Sequence, residues 1–138
     1  GIQVNDRLQT RADGIYAAGD IVRFPAHGER YRVEHWVHAL QQGAHAARCM
    51  LGNDQPFADV PFFWTRQYTT TVKYAGYPVR YDAIEYRGDV DSGSFLAGYF
   101  SNGTLIAIGT IGMQEPFVLL MEALEAGEKI NQAQFREM

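Results

Sequence analysis

The sequence has little cysteine and little charge. Cys49 is the single cysteine among 138 residues, which excludes an intrachain disulfide, a redox-active cysteine pair and a thiolate metal cluster built by this chain alone. A reducing, cytoplasmic location is therefore expected. Charged residues make up 20% of the chain, and 12 basic against 16 acidic side chains give a formal net charge of −4. Because binding a phosphate backbone requires a broad basic face, we expect no nucleic-acid partner.

Long apolar runs are also missing. The longest, residues 105–113, is interrupted by Gly109, Thr110 and Gly112 and has about half of the ~20 residues that a membrane-spanning helix needs. We therefore expect no membrane partner. The chain begins with Gly1 and shows no basic segment before an apolar one, so we expect neither a signal peptide nor a natural start. These features predict a fragment of a longer protein.

Several chemical signatures are absent as well. The 14 glycines form neither a G-x-G-x-x-G fingerprint nor a P-loop, so no phosphate cradle of either kind is expected. No serine lies in a nucleophile elbow, and we assign no catalytic residue. The histidines lack a carboxylate or cysteine at a spacing that would complete a zinc set, so no metal site is expected; they are His27, His35, His38 and His45.

The first half of the chain suggests two strands and a helix. Residues 2–8 and 15–18 are apolar runs around an Asp-Gly turn, and residues 24–31 have the composition of a loop. Apolar residues repeat at helical spacing over 34–51, in two adjacent stripes. We expect this helix to be buried over most of its girth, with a narrow polar face made of His38, Gln41, Gln42, His45 and Arg48.

The second half suggests a small sheet with a covering helix. Residues 53–60 resemble a linker, which predicts one domain at 1–53 and another at 59–138. Beyond it, the period of two and the β-branched and aromatic residues predict strands at 62–68, 70–75, 83–87, 94–100 and 104–112. Asn102-Gly103 favours a type I′ turn that pairs Phe100 with Leu105 and Tyr99 with Ile106.

Helical signals close the chain. Residues 116–126 carry Pro in the first turn and Gly at the end, and Asn131 with Gln134 resembles a capping pair. The predicted fold is therefore α+β: a small antiparallel sheet with a covering C-terminal helix, preceded by strands and a long helix.

Gly19-Asp20 is the strongest candidate ligand contact. A glycine allows a ligand to approach the backbone, and an aspartate accepts hydrogen bonds from sugar or sugar-alcohol hydroxyls. The same residues also suit a buried strand that ends in a turn. Spacing and composition alone leave both interpretations open.

A resemblance to a known family favours the functional interpretation. Residues 1–20, ending in Ile15-Tyr16-Ala17-Ala18-Gly19-Asp20, resemble the second FAD-binding motif of flavoprotein reductases with two dinucleotide domains. The block Arg32-Val33-Glu34-His35-Trp36 resembles the start of the next helix in oxygenase-coupled ferredoxin reductases and in the apoptosis-inducing-factor family. Residues 60–65 and 74–76 resemble the opening of the C-terminal domain of these pyridine nucleotide-disulfide oxidoreductases.

The resemblance implies a cofactor, a reaction and a site. The full-length protein would bind FAD, oxidise NAD(P)H by hydride transfer, and pass electrons to a ferredoxin or Rieske-type iron–sulfur protein. Asp20 would bind the ribityl chain, the helix that begins near residue 34 would point its N-terminus at the flavin, and Trp64 would pack close to the isoalloxazine. The implied cofactor-binding residues are Gly19, Asp20, Glu34, His35, Trp36 and Trp64.

Alternatives accompany this interpretation. Because the glycine fingerprints are missing, we expect the fragment alone to be inactive and to retain no FAD. His35 matches the apoptosis-inducing-factor pattern, whereas Trp36 agrees with the reductases. Trp64 lies in an aromatic run, 62–64, of a kind that usually belongs to a core. The chain could instead be a stand-alone interaction or dimerisation module that binds no flavin and forms a homodimer.

Overall fold

The computed structural model describes residues 1–77 and 80–138. They form two compact units, Gly1–Asp59 and Val60–Met138. The expected α+β fold, with an antiparallel sheet and a C-terminal helix, is confirmed. In the described ranges, no helix is both long and apolar enough to cross a membrane.

The first unit combines a three-stranded sheet with one helix. Its strands are β1 (Ile2–Gln3), β2 (Val22–Ala26) and β3 (Glu29–Tyr31), arranged in that order, with β1 parallel and β3 antiparallel to β2. Helix α1 spans Trp36–Met50. It begins two residues after the predicted start and ends one residue before the predicted end.

The strand and loop predictions for the segments before α1 are partly wrong: of the predicted strand at 2–8, only Ile2–Gln3 is a strand. Residues 24–31 are mostly β-hairpin rather than loop, because His27 and Gly28 both adopt positive φ, at 48° and 78°, as a tight hairpin turn requires. Residues 15–18 make only an isolated bridge, between Tyr16 and Gln9, rather than a strand. β2 alternates as a half-buried strand does, with Val22 and Phe24 buried and Arg23 between them exposed. The 15–18 segment does not alternate in this way, and Ile15 is 57% exposed.

The burial of α1 contradicts most of the prediction, although Ala46 is buried and Arg48 is exposed as expected. His38, Gln42, His45 and Cys49 follow one helical stripe and are buried. This stripe makes ring contacts: the centroid of the His38 ring lies 5.2 Å from that of Phe24 and 5.3 Å from that of Phe57. The expected apolar stripes are instead partly exposed, at Trp36, Leu40 and Met50.

The second unit is a five-stranded antiparallel sheet with two helices. The strands are β4 (Phe62–Gln67), β5 (Thr70–Gly76), β6 (Ala83–Asp89), β7 (Ser94–Ser101) and β8 (Thr104–Ile111). They are arranged in the order β4-β5-β8-β7-β6. Helices α2 (Gln114–Glu125) and α3 (Gln132–Glu137) follow.

The core of this unit joins the sheet to both helices. Fully buried side chains from β7 and β8 meet Phe117 and Leu120 of α2 and Phe135 of α3. The predicted capping pair is confirmed: the Asn131 side chain accepts from the Gln134 backbone N–H at 3.0 Å, and the Gln134 side chain accepts from the Asn131 N–H at 2.9 Å. The short helix α3 is thereby fixed at its start.

The β7–β8 hairpin follows half of the predicted register. Asn102 and Gly103 have φ of 49° and 75°, and Phe100 pairs with Leu105 as predicted. Tyr99, however, pairs with Ala107 rather than Ile106, because the register shifts between Tyr99 and Phe100. A β-bulge adds one unpaired residue to a strand, which the turn sequence does not reveal.

Candidate functional site

The Gly19-Asp20 turn is held through backbone atoms. Gly19 has φ of +84°; its N–H donates to Oε1 of Gln42 at 2.7 Å, and its carbonyl accepts from the N–H of Val22 at 3.0 Å. A Cβ added at Gly19 would lie 3.4 Å from Cβ of Ala39. The space would admit this Cβ at ordinary contact distance, so it is the positive φ that favours glycine here.

Arg32 connects this turn to the segment before α1. Its Nε donates to the carbonyl of Asp20 at 2.7 Å, and its guanidinium forms an ion pair with the carboxylate of Glu34. Asp20 and Glu34, 14 positions apart in the sequence, thus share one side-chain partner. Arg32 was not among the predicted site residues. The available signal was the Arg-x-Glu spacing, since alternate residues of an extended segment lie on one side.

The N-terminus of α1 lies next to this segment. His35 is the N-cap residue, and no side chain caps the helix in the part of the chain that the structure describes. The first turn contains no acidic residue. Trp36, its first helical residue, is 60% exposed. The positive end of the helix dipole is therefore available to stabilise negative charge on a ligand.

A buried polar pair lies beneath the turn. The Gln42 side chain accepts from Gly19 through Oε1. Its other amide atom, Nε2, lies 3.1 Å from Nε2 of His38. Both side chains are 1% exposed. Burial lowers the pKa of His38 from 6.5 to about 4, with Asp59 raising it and His35 lowering it further. His38 is therefore neutral at pH 7. Sequence reasoning missed Gln42 because it expected the polar face of α1 to be exposed.

Trp64 lies in the second unit and is not a core residue. It is 43% exposed, and its ring stacks on Phe62 with centroids 5.7 Å apart and an interplanar angle of 27°. It lines an open groove of about 530 Å³ with Arg66 and Lys73. The Nζ of Lys73 donates to Oε1 of Gln114 across this groove. An aromatic ring beside two cations suits an extended aromatic or anionic ligand.

The remaining chemistry of the described residues is limited. No group of three or more His, Cys, Asp or Glu side chains in the described ranges is placed to hold a metal ion. Cys49 is buried as a free thiol. Five of the six predicted site residues lie in the first unit, on the turn at 19–20 and on the segment 34–36 where α1 begins. They are Gly19, Asp20, Glu34, His35 and Trp36.

The chain is similar to an apoptosis-inducing factor and to a bacterial reductase. The chain is 32% identical over 132 residues to apoptosis-inducing factor 3 of Homo sapiens, covering 94% of this chain and 22% of that protein. It is 31% identical over 121 residues to putidaredoxin reductase CamA of Pseudomonas putida, covering 85% of this chain and 28% of that protein. The chain thus spans less than a third of the length of either relative.

Solved reductase structures also match nearly the whole of this chain and about a third of their own length. A ferredoxin reductase for the CYP199A2 system of Rhodopseudomonas palustris matches with a TM-score of 0.87 and 28% identity, covering 95% of this chain and 33% of that one. The covalent putidaredoxin reductase–putidaredoxin complex matches with a TM-score of 0.90 and 26% identity, covering 98% and 33%.

Two family models match the two parts of the chain. The pyridine nucleotide-disulphide oxidoreductase model matches residues 1–43, and the reductase C-terminal model matches residues 62–138, more than half of the sequence. The resemblance drawn from the sequence is confirmed. The chain therefore belongs to the reductase C-terminal family of ferredoxin-reductase-like flavoproteins, with a pyridine nucleotide-disulphide oxidoreductase segment before the C-terminal domain.

Proposed function

We propose that this chain is the flavin-facing part of an FAD-dependent reductase that oxidises NAD(P)H and reduces a ferredoxin or Rieske-type iron–sulfur protein. The observation that carries the proposal is the Gly19-Asp20 turn, whose backbone is held by Gln42, Val22 and Arg32. These three bonds engage backbone atoms of the turn only, and Asp20 is exposed. Its carboxylate therefore remains available to a ligand.

The donor and acceptor set fits FAD. A carboxylate accepts hydrogen bonds from several hydroxyls of a polyol chain, which is the role proposed for Asp20. Gly19 supplies the positive φ that shapes the turn beside this carboxylate. The start of α1, with no acidic residue in its first turn, favours negative charge on a neighbouring ring system.

The remaining assignments concern the reaction partners. Bound FAD supplies hydride acceptance from NAD(P)H and one-electron transfer to the acceptor. We assign Glu34 and His35 to the nicotinamide side of the site, and the backbone amides near His35 and Trp36 to the flavin. Trp64 is assigned to the isoalloxazine side. Two similar proteins support the electron acceptor: one relative is a putidaredoxin reductase, and one similar structure is the covalent complex of putidaredoxin reductase with putidaredoxin.

Replacing Asp20 tests the flavin assignment. In the longest natural polypeptide that carries these residues, Asp20→Ala should weaken FAD binding by roughly 10- to 100-fold, because hydrogen bonds to a charged group contribute about 1.5–3 kcal/mol. Asp13→Ala, at another exposed turn of the same unit, is the matched control and should leave the affinity unchanged. Flavin titration by fluorescence measures both. Equal affinities for Asp20→Ala and the unchanged protein would refute the assignment.

A self-associating module without flavin is the second candidate function. Exposed apolar side chains on α1 favour it, namely Leu40 at 63% and Met50 at 59%, followed by Leu51 at 90%. Size-exclusion chromatography with light scattering and a visible spectrum separates the two functions for the isolated chain. A colourless dimer supports the module, whereas a flavin-containing monomer refutes it.

A further inference from the structure

We propose that Gln42 and His38 are positioning residues: a buried hydrogen-bond chain from α1 holds the Gly19 peptide, so that the N–H and carboxylate of Asp20 face the ligand in a fixed arrangement. This inference rests on the proposed flavin function of the turn. It adds a device that orients the turn from the protein side and touches no ligand itself.

The direction of this hydrogen-bond chain follows from the bond between Gly19 and Gln42. The backbone N–H of Gly19 is a donor, so the Gln42 atom 2.7 Å away must be the amide oxygen. The Nε2 of Gln42 therefore faces His38 at 3.1 Å and donates a proton. Because an NH₂ group has no acceptor capacity, Nε2 of His38 must be unprotonated. The imidazole is then the neutral tautomer with its hydrogen on Nδ1.

Gln41 provides a matching acceptor at the far end. The Nδ1 of His38 and Oε1 of Gln41 are both buried, and neither reaches full hydrogen-bond geometry with another described residue. The contact with Gln41 nevertheless raises the pKa of His38, although less than burial lowers it. The tautomer with its hydrogen on Nδ1 gives the ring a donor for the Gln41 oxygen and an acceptor for the Gln42 amide.

The turn is otherwise held by one backbone and one side-chain donor. The carbonyl of Gly19 accepts from Val22, and the carbonyl of Asp20 accepts from Arg32. The backbone N–H of Gly19 donates to Gln42. The side-chain amide of Gln42 is buried and lies next to the ring of His38. Removing the amide would leave the N–H of Gly19 without its acceptor and let the peptide rotate.

Three variants test the positioning role in 15N-glycine-labelled protein. Gln42→Leu should speed hydrogen exchange at the Gly19 amide about tenfold and weaken FAD binding about tenfold, which corresponds to the loss of one hydrogen bond. Gln42→Glu should restore both properties, because a carboxylate accepts from Gly19 and shares one proton with His38. Gln55→Leu makes the same amide-to-alkyl change at an exposed position and should change neither.

The outcomes separate the device from the flavin function. Unchanged Gly19 exchange in Gln42→Leu overturns the inference, as does faster exchange with unchanged FAD affinity. If the unsubstituted protein binds no FAD, the proposed function falls, while Gly19 exchange still decides whether the hydrogen-bond chain exists. Should Gln42→Leu fail to fold, long-range ¹⁵N spectra of the unsubstituted protein decide. A hydrogen on Nδ1 of His38 supports the chain, and a hydrogen on Nε2 overturns it.

Discussion

Acid should destabilise the first unit through His38. Burial lowers the pKa of this imidazole from 6.5 to about 4, while Asp59 raises it and His35 lowers it further. In the unfolded chain the ring takes up its proton near pH 6.5, and in the folded chain only near pH 4. The stability that depends on neutral His38 is therefore complete above about pH 6.5 and is lost as the pH falls from 6.5 towards 4.

The size of the effect follows from the two values. A pKa that falls from 6.5 to about 4 on folding corresponds to about 3 kcal/mol, at about 1.4 kcal/mol for each pH unit. Because the ring is only 1% exposed, solvent screens little of it. Between pH 7 and pH 4.5 most of the effect is reached, so we expect a loss of about 2 kcal/mol in the free energy of unfolding.

Urea unfolding at pH 7 and pH 4.5 measures this loss, and an NMR titration of the imidazole gives its pKa directly. His38→Gln keeps an acceptor oxygen for Gln42 without an ionisable group, so it should lose about 2 kcal/mol less than the unsubstituted chain over this range. His27→Gln, at the exposed hairpin turn, is the control and should lose as much as the unsubstituted chain. A His38 ring that titrates at or above pH 6, or equal acid losses in His38→Gln and the unsubstituted chain, would refute the reasoning.

Gly98 of β7 and Gly103 of the β7–β8 turn should respond to alanine for different reasons. Gly98→Ala places a Cβ 2.7 Å from Cε2 of Phe135, so overpacking should lower the free energy of unfolding by about 1–3 kcal/mol. When Phe135→Leu is already present, Gly98→Ala should cost less. An equal cost of Gly98→Ala with and without Phe135→Leu would contradict this contact. Gly103→Ala meets no atom within 4 Å but keeps φ of +75°, so it should cost about 1–2 kcal/mol from backbone strain alone. Urea unfolding measures both, and a neutral Gly103→Ala would show that the turn changes conformation.

The strands of the second unit were predictable because their signals are local. A period of two and bounding turn residues placed β4 to β8 within a few residues of their observed ends. The strand order β4-β5-β8-β7-β6 was not predictable, since it depends on contacts between distant segments. The bulge between Tyr99 and Phe100 was missed for a related reason. A turn sequence determines the pairing beside it and no further along the strands.

The first unit shows where local patterns mislead. The hydrophobic periodicity of α1 predicted the helix but the wrong buried face. His38 and Gln42 are polar in any sequence-based scale, yet both are buried. The Gln42 amide accepts from Gly19 and faces Nε2 of His38, so the two side chains keep hydrogen bonds in the interior. Burying a polar group is costly only when its hydrogen bonds are lost. A sequence does not show whether a partner exists.

The sequence by itself determined the family, the α+β class and the position of the Gly19-Asp20 turn, because these depend on ordered motifs and on local periodicity. Only the tertiary structure decided what holds that turn. Gln42, 23 positions away along the chain, and Arg32, 12 positions from Asp20, reach it through hydrogen bonds formed after α1 and the segment before it have packed. Such bonds depend on distances in space, which chain folding sets and residue spacing does not.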